Sequence, residues 1–145
     1  MQILLITGMP GAGKSEIADQ FRMHNHPVVV MGDVVREVAR KRGLEPSRKN
    51  TMSIMLELRQ NRGPGAIAEY CLDSMENLDR ESIVVEGCRS IAEMEVFRKR
   101  AASLTTVCVH ASPDTRFHRL QKRNRKDAPT DWDAFRERDL RELDV

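Results

Sequence analysis

Gly8-Met9-Pro10-Gly11-Ala12-Gly13-Lys14-Ser15 fits the phosphate-binding pattern G-x-x-x-x-G-K-[ST] at every fixed position. Four fixed positions in eight arise by chance, so the flanking residues decide. Ile3-Leu4-Leu5-Ile6-Thr7 is a short apolar run that reads as a buried strand. Beyond the motif, Ile17, Ala18 and Phe21 fall on one helical face. Strand, glycine loop and helix are the context the motif requires. Glycines let the loop take backbone conformations closed to residues with a Cβ, so that successive N–H groups turn inward as an anion nest. The helix from Lys14 adds the positive end of its dipole. Gly8, Met9, Pro10, Gly11, Ala12, Gly13, Lys14 and Ser15 are therefore expected to cradle ATP. Lys14 would reach the β- and γ-phosphates, and the Ser15 hydroxyl would bind Mg²⁺.

Working outward, strand-like runs recur at 28–31, 82–85 and 105–110, after the first at 2–7. Helical patterns fall between them, at about 14–23, 33–42, 47–61, 65–78, 91–101, 113–125 and 132–142. The alternation predicts an α/β fold, a three-layer domain around a parallel sheet. The 145 residues suffice for one such domain. Residues 32–81 exceed what one crossover helix needs, so they are expected to form a helical insertion over the carboxyl ends of the strands.

Composition narrows the classes. No apolar run approaches the roughly 18 residues of a membrane span, and no basic region precedes the first strand as in a signal peptide. Both point to a cytoplasmic protein without a membrane partner. Cys71, Cys88 and Cys108 form no C-x-x-C pair, which fits reduced thiols and disfavours zinc. Net charge is only +2, yet residues 116–126 hold six basic side chains and no acid. Such runs beside a phosphate loop favour polyphosphate ligands. Aromatic interleaving is missing, so a nucleic-acid partner ranks below a small-molecule nucleotide acceptor.

Two further segments, Met31-Gly32-Asp33-Val34-Val35-Arg36-Glu37-Val38 and Val84-Val85-Glu86-Gly87-Cys88-Arg89, together with the loop resemble the nucleoside monophosphate kinases. More narrowly, with His110-Ala111-Ser112-Pro113 and Arg136-Glu137-Arg138-Asp139, the chain is similar to an archaeal family of P-loop nucleotide kinase-like proteins related to adenylate, cytidylate and dephospho-CoA kinases. That resemblance spans nearly the whole chain. It implies Mg²⁺-assisted phosphoryl transfer from ATP, with AMP or CMP as the favoured acceptor. It also implies one domain with its core at 1–31 and 82–111, an acceptor-binding insertion at about 32–81 and a helical lid at about 112–145. The final strand of such kinases is expected to be missing after Val145, so that either the chain is a truncated form or donor binding is weaker and less base-selective.

The resemblance assigns Arg36 and Arg89 to the acceptor phosphate, where a guanidinium binds bidentately. The alternatives are a surface Arg36 paired with Glu37, Glu45 or another acid, and a helix-entry role for Arg89. Glu86 is expected at a strand end, holding Mg²⁺ through water or pairing with Lys14 or Arg89. Asp33 either orients water on the metal, caps the helix that follows, or takes a proton from a sugar hydroxyl as in dephospho-CoA kinases. Arg116, Arg119 and Arg123 share one helix face, Arg125 follows, and Arg136, Arg138 and Arg141 return on the next helix. Of these, Arg119, Arg123 and Arg138 are expected to neutralise charge on the transferring phosphoryl group. Ion pairs with Asp127, Asp131, Asp133 and Asp139 are the competing reading. Trp132 and Phe135 are expected to anchor the last helix. A nucleotide-responsive ATPase acting on an RNA or protein partner is the reading from another class.

Overall fold

The computed structural model describes residues 1–75, 78, 80–123 and 128–143. Arg125, Lys126 and Asp127 lie outside the described residues. In chain order the elements are β1 (Gln2–Thr7), α1 (Lys14–Met23), β2 (Val28–Val30), α2 (Met31–Lys41), α3 (Arg48–Arg62), α4 (Ala66–Met75), β3 (Ser82–Cys88), α5 (Ile91–Arg100), β4 (Ser103–Cys108), α6 (Pro113–Lys122) and α7 (Trp132–Leu143). All strand pairings are parallel, and the sheet order is β2-β3-β1-β4. β1 is thus central, and the loop that leaves its carboxyl end opens where ligands bind in such sheets.

Side-chain alternation along β1 explains the three layers. Ile3 and Leu5 point into a large core with Met31, Val35, Ala39, Cys71, Met75 and Phe97 from α2, α4 and α5. Leu4 and Ile6 point to the other face, against Ala18, Ile17 and Phe21 of α1. With few aromatic side chains, aliphatic and methionine groups fill the larger core. Cys71 and Cys88 sit within it. Burial pushes their thiols up to about 12 and about 11, which leaves both unreactive. No described helix is long and apolar enough to cross a membrane.

Several boundaries correct the sequence reading. Met31 does not end β2; it opens α2, with Val30 as a cap that offers no side-chain bond. Asp33 therefore lies inside the first turn and does not cap the helix. β3 runs on through Glu86 and Gly87 to Cys88, because a register shift opposite Ile6 and Thr7 absorbs one extra residue. Glu86 is thus inside the strand, and Arg89 follows it directly. β4 spans 103–108, two residues earlier than expected, and α6 closes at Lys122.

Candidate functional site

The loop between β1 and α1 owes its shape to close packing. A Cβ on Gly8 would lie 2.2 Å from the Val109 carbonyl oxygen, and one on Gly11 would lie 2.7 Å from that of Arg116. Both glycines also have positive φ, 139° and 80°. Only glycine fits either place, so the first turn of α6 rests directly against the loop. Lys14 donates from Nζ to the carbonyls of Gly8 (2.6 Å) and Met9 (3.1 Å), bending back over its own loop. Burial, with the Arg89 guanidinium as the next cause, lowers its pKa to about 8. Arg123 acts in the same direction, while Glu86 and Glu142 oppose.

The Ser15 hydroxyl donates to Glu86 Oε1 at 2.9 Å. Glu86 is only 7 % exposed, a buried carboxylate at the carboxyl half of β3. Two hard oxygens at this spacing fit neighbouring positions around an octahedral cation with ligands at about 2.0–2.1 Å. Among the described residues no group of three or more His, Cys, Asp or Glu is placed to hold a metal alone. The donor set therefore fits Mg²⁺ that takes its other ligands from phosphates and water.

One cavity of about 610 Å³ gathers most of the predicted residues: Lys14, Ser15, Asp33, Arg36, Glu86, Arg89, Arg123 and Arg138. Nine basic side chains line it against four acidic ones, leaving an excess of five positive charges. Arg36 lies one turn on from Asp33 and donates to its Oδ1 from Nε (2.9 Å) and from Nη2. Its partner is thus Asp33, another acid than Glu37 or Glu45, as the pairing alternative allowed. Arg89 donates to Glu142 of α7, closing a link from the end of β3 to the last helix. The insertion lends the cavity one face of α3, carrying Arg48, Thr51, Met52, Met55 and Arg59.

Other arginines of α6 and α7 serve elsewhere. Arg119 donates to the carbonyls of Gly11 (3.3 Å) and Ala12 (2.9 Å) and lines a second cavity, of about 460 Å³, with Ile17, Val109 and Lys122. Arg116 is 4 % exposed and binds both oxygens of Asp139, at 2.5 and 2.6 Å. It also reaches the carbonyls of Ala111 (3.1 Å) and Pro10 (3.4 Å) and lies over the Phe135 ring. The Arg116–Asp139 pair is therefore a buried joint, not the surface pair that the sequence suggested. Trp132, Phe135 and Phe117 stack within 5.5 Å of one another, so α7 is anchored on α6 as expected. Arg136 lines neither cavity, whereas Arg141 lines the first.

Sequence reasoning passed over Arg59, Glu93 and Glu142. Glu93 carried a signal: Ser90-Ile91-Ala92-Glu93 is a capping-box spacing, and Ser90 does cap α5 by accepting from the Glu93 N–H at 3.2 Å. Arg59 follows Met52 and Met55 by seven and four residues, a shared helical face.

Comparison with known proteins agrees with this fold. The AAA domain family profile matches residues 4–141. The UPF0200 protein MJ1399 of Methanocaldococcus jannaschii is 48% identical over 145 residues, covering 99% of this chain and 73% of that protein. Among solved structures, shikimate kinase from Bacteroides thetaiotaomicron superposes with a TM-score of 0.57 at 21% identity, over 98% of this chain and 77% of that one. A gluconokinase from Sinorhizobium meliloti 1021 gives 0.52 at 15% identity, over 97% and 74%. At such identities the two structures speak for the fold, a P-loop kinase-like α/β/α domain.

Proposed function

The chain belongs to the UPF0200 family of archaeal P-loop proteins, and on that premise we propose that it moves the γ-phosphoryl group of ATP to a nucleoside monophosphate, with AMP or CMP favoured. The observation that carries this reading is that one basic cavity joins Lys14, the Ser15–Glu86 pair, Arg36 and Arg89. A cavity with five positive charges in excess suits two phosphate-bearing ligands at once.

Each residue then has a task. Lys14 turns from its loop carbonyls to the β- and γ-phosphates. Arg119, by holding the Gly11 and Ala12 carbonyls, fixes the peptide groups whose N–H bonds form the nest. Ser15, with Glu86 behind it, holds Mg²⁺, which when bound neutralises charge on the transferring phosphates. Arg36 and Arg89 orient the acceptor phosphate, releasing Asp33 and Glu142 as they do so. Arg123 and Arg138 line the same cavity from the other side and complete the charge balance there. The second cavity, lined by the apolar Ile17 and Val109 and by Arg119, takes the donor base.

A phosphate acceptor needs no general base, since its attacking oxygen is already ionised. A hydroxyl acceptor does need one, and Asp33 is the carboxylate on the cavity wall beside Arg36. The deciding assay follows ADP production from ATP and Mg²⁺ with AMP, CMP, UMP, GMP and dephospho-CoA supplied in turn. One monophosphate should raise turnover well above the rate with ATP alone, and Asp33→Asn should retain most of it. Stimulation by dephospho-CoA alone, lost in Asp33→Asn, would transfer the reading to a hydroxyl acceptor. No stimulation by any of them would end the kinase reading.

A further inference from the structure

Glu93 is a buried charge that the reaction above does not use. It is 2 % exposed, at the start of α5. In a capping box the acid reaches back to the N–H of the capping residue. Here Glu93 Oε2 instead accepts from the N–H of Arg89, one residue earlier, at 3.0 Å. Its other oxygen, Oε1, accepts from Nη2 of Arg59 at 3.1 Å, across from α3. One carboxylate therefore ties the backbone of Arg89 to the side chain of Arg59, and both arginines line the main cavity.

The hydrogen bonding of Arg59 is one-sided. Guanidinium offers five N–H donors in a fixed plane. Among the described residues, Arg59 spends them on the single bond to Glu93. Its side chain is 28% exposed and forms part of the cavity wall. A guanidinium anchored at one nitrogen by a buried acid is restrained in place, and its remaining donors are left for a planar or tetrahedral oxyanion. The pair adds little net charge, because Glu93 offsets Arg59. What it adds is direction, which is how specificity differs from bulk attraction.

We infer that Arg59, held in place by Glu93, is a third acceptor-binding arginine beside Arg36 and Arg89, and that it selects acceptors carrying a phosphate group at the junction of α3 with the β3–α5 turn. Glu93 is the positioning residue that acts through it. This rests on the reading of the cavity as an acceptor site, not on which nucleotide fills it.

The test is a calorimetric titration of inorganic phosphate, and separately of AMP and CMP, into the full chain with its P-loop filled by ADP and Mg²⁺. Arg59→Gln removes the guanidinium and its charge but keeps a polar amide donor. It should weaken phosphate and the monophosphate by tenfold or more while ADP affinity stays within twofold. A second measurement avoids any folding question: in the unaltered protein, phosphate should protect Arg59 from modification by phenylglyoxal, mapped by mass spectrometry. Phosphate affinity in Arg59→Gln within twofold of the parent overturns the inference. So does an unchanged modification rate at Arg59, or no phosphate binding by the parent. If phosphate binds through Arg59 but neither AMP nor CMP does, the nucleotide reading fails while the assignment of Arg59 stands.

Discussion

Glu142, near the end of α7, holds the guanidinium of Arg89, 53 residues earlier at the end of β3. The carboxylate is 19% exposed and faces the same cavity as Lys14 and Glu86. It thus occupies Arg89 in the way an acceptor phosphate would. A phosphate that takes Nη1 of Arg89 must displace it, so the link opposes ligand binding at that nitrogen while it ties α7 to the core.

Glu142→Gln removes the competing charge and leaves a side chain of equal size. Arg89 is nearly half exposed, so the link is worth at most about 1 kcal/mol. The variant should bind AMP or inorganic phosphate about threefold to fivefold more tightly, measured with the P-loop filled by ADP. Weaker binding would mean instead that Glu142 holds Arg89 in its productive pose.

The Arg116–Asp139 joint makes a contrasting prediction, because it is buried and bidentate. Asp139→Ala leaves a 4 % exposed guanidinium without its carboxylate. Breaking one side of a buried pair costs about 3–5 kcal/mol, and melting should fall on the order of 10 °C for a domain of this size. The Pro10 carbonyl and the Gly11 contact share Arg116, so nucleotide affinity should fall as well. A melting point within about 2 °C of the parent would show that Phe117, Trp132 and Phe135, with the Glu142 link, hold α7 in place without the joint.

The contrast between these two pairs marks what the sequence could reveal. The phosphate loop, its flanking strand and helix, and the near position of Glu86 were all legible, since each is local and follows hydrophobic period or motif spacing. Cys71 and Cys88 read as free thiols, and they are. The end of β3 was not legible, because Gly87 and Cys88 look like a turn until a register shift extends the pairing. Nor was the start of α2, which a bare Val30 caps. Arg89–Glu142, Arg59–Glu93 and Arg116–Asp139 join residues 53, 34 and 23 apart. Their partners are chosen by packing between elements, and no local pattern carries that information.

Lys14 supplies a prediction whose sign depends on pH. Its folded pKa is lowered to about 8, chiefly by burial, against 10.5 when unperturbed. Between these values the unfolded chain keeps a proton that the folded protein has released, so stability rises with pH across that window. Below pH 8 the full cost of burying the ammonium is present. Lys14→Met removes that cost, so the variant should be more stable than the parent at pH 7. Its advantage should shrink as pH climbs from about 8 toward 10.5. Subtracting the two stability curves cancels groups common to both proteins. The same variant should lose ATP and ADP affinity, the usual exchange of stability for function at a binding site. In the parent, ADP affinity should decline above pH 8, because the phosphates need the protonated amine. Urea denaturation at intervals from pH 7 to 10 checks the first part, and ADP titration over the same range checks the second. A stability difference that stays flat over that range would show that the Lys14 ammonium is solvated in the folded protein. ADP binding that then still declined above pH 8 would have to be traced to another group.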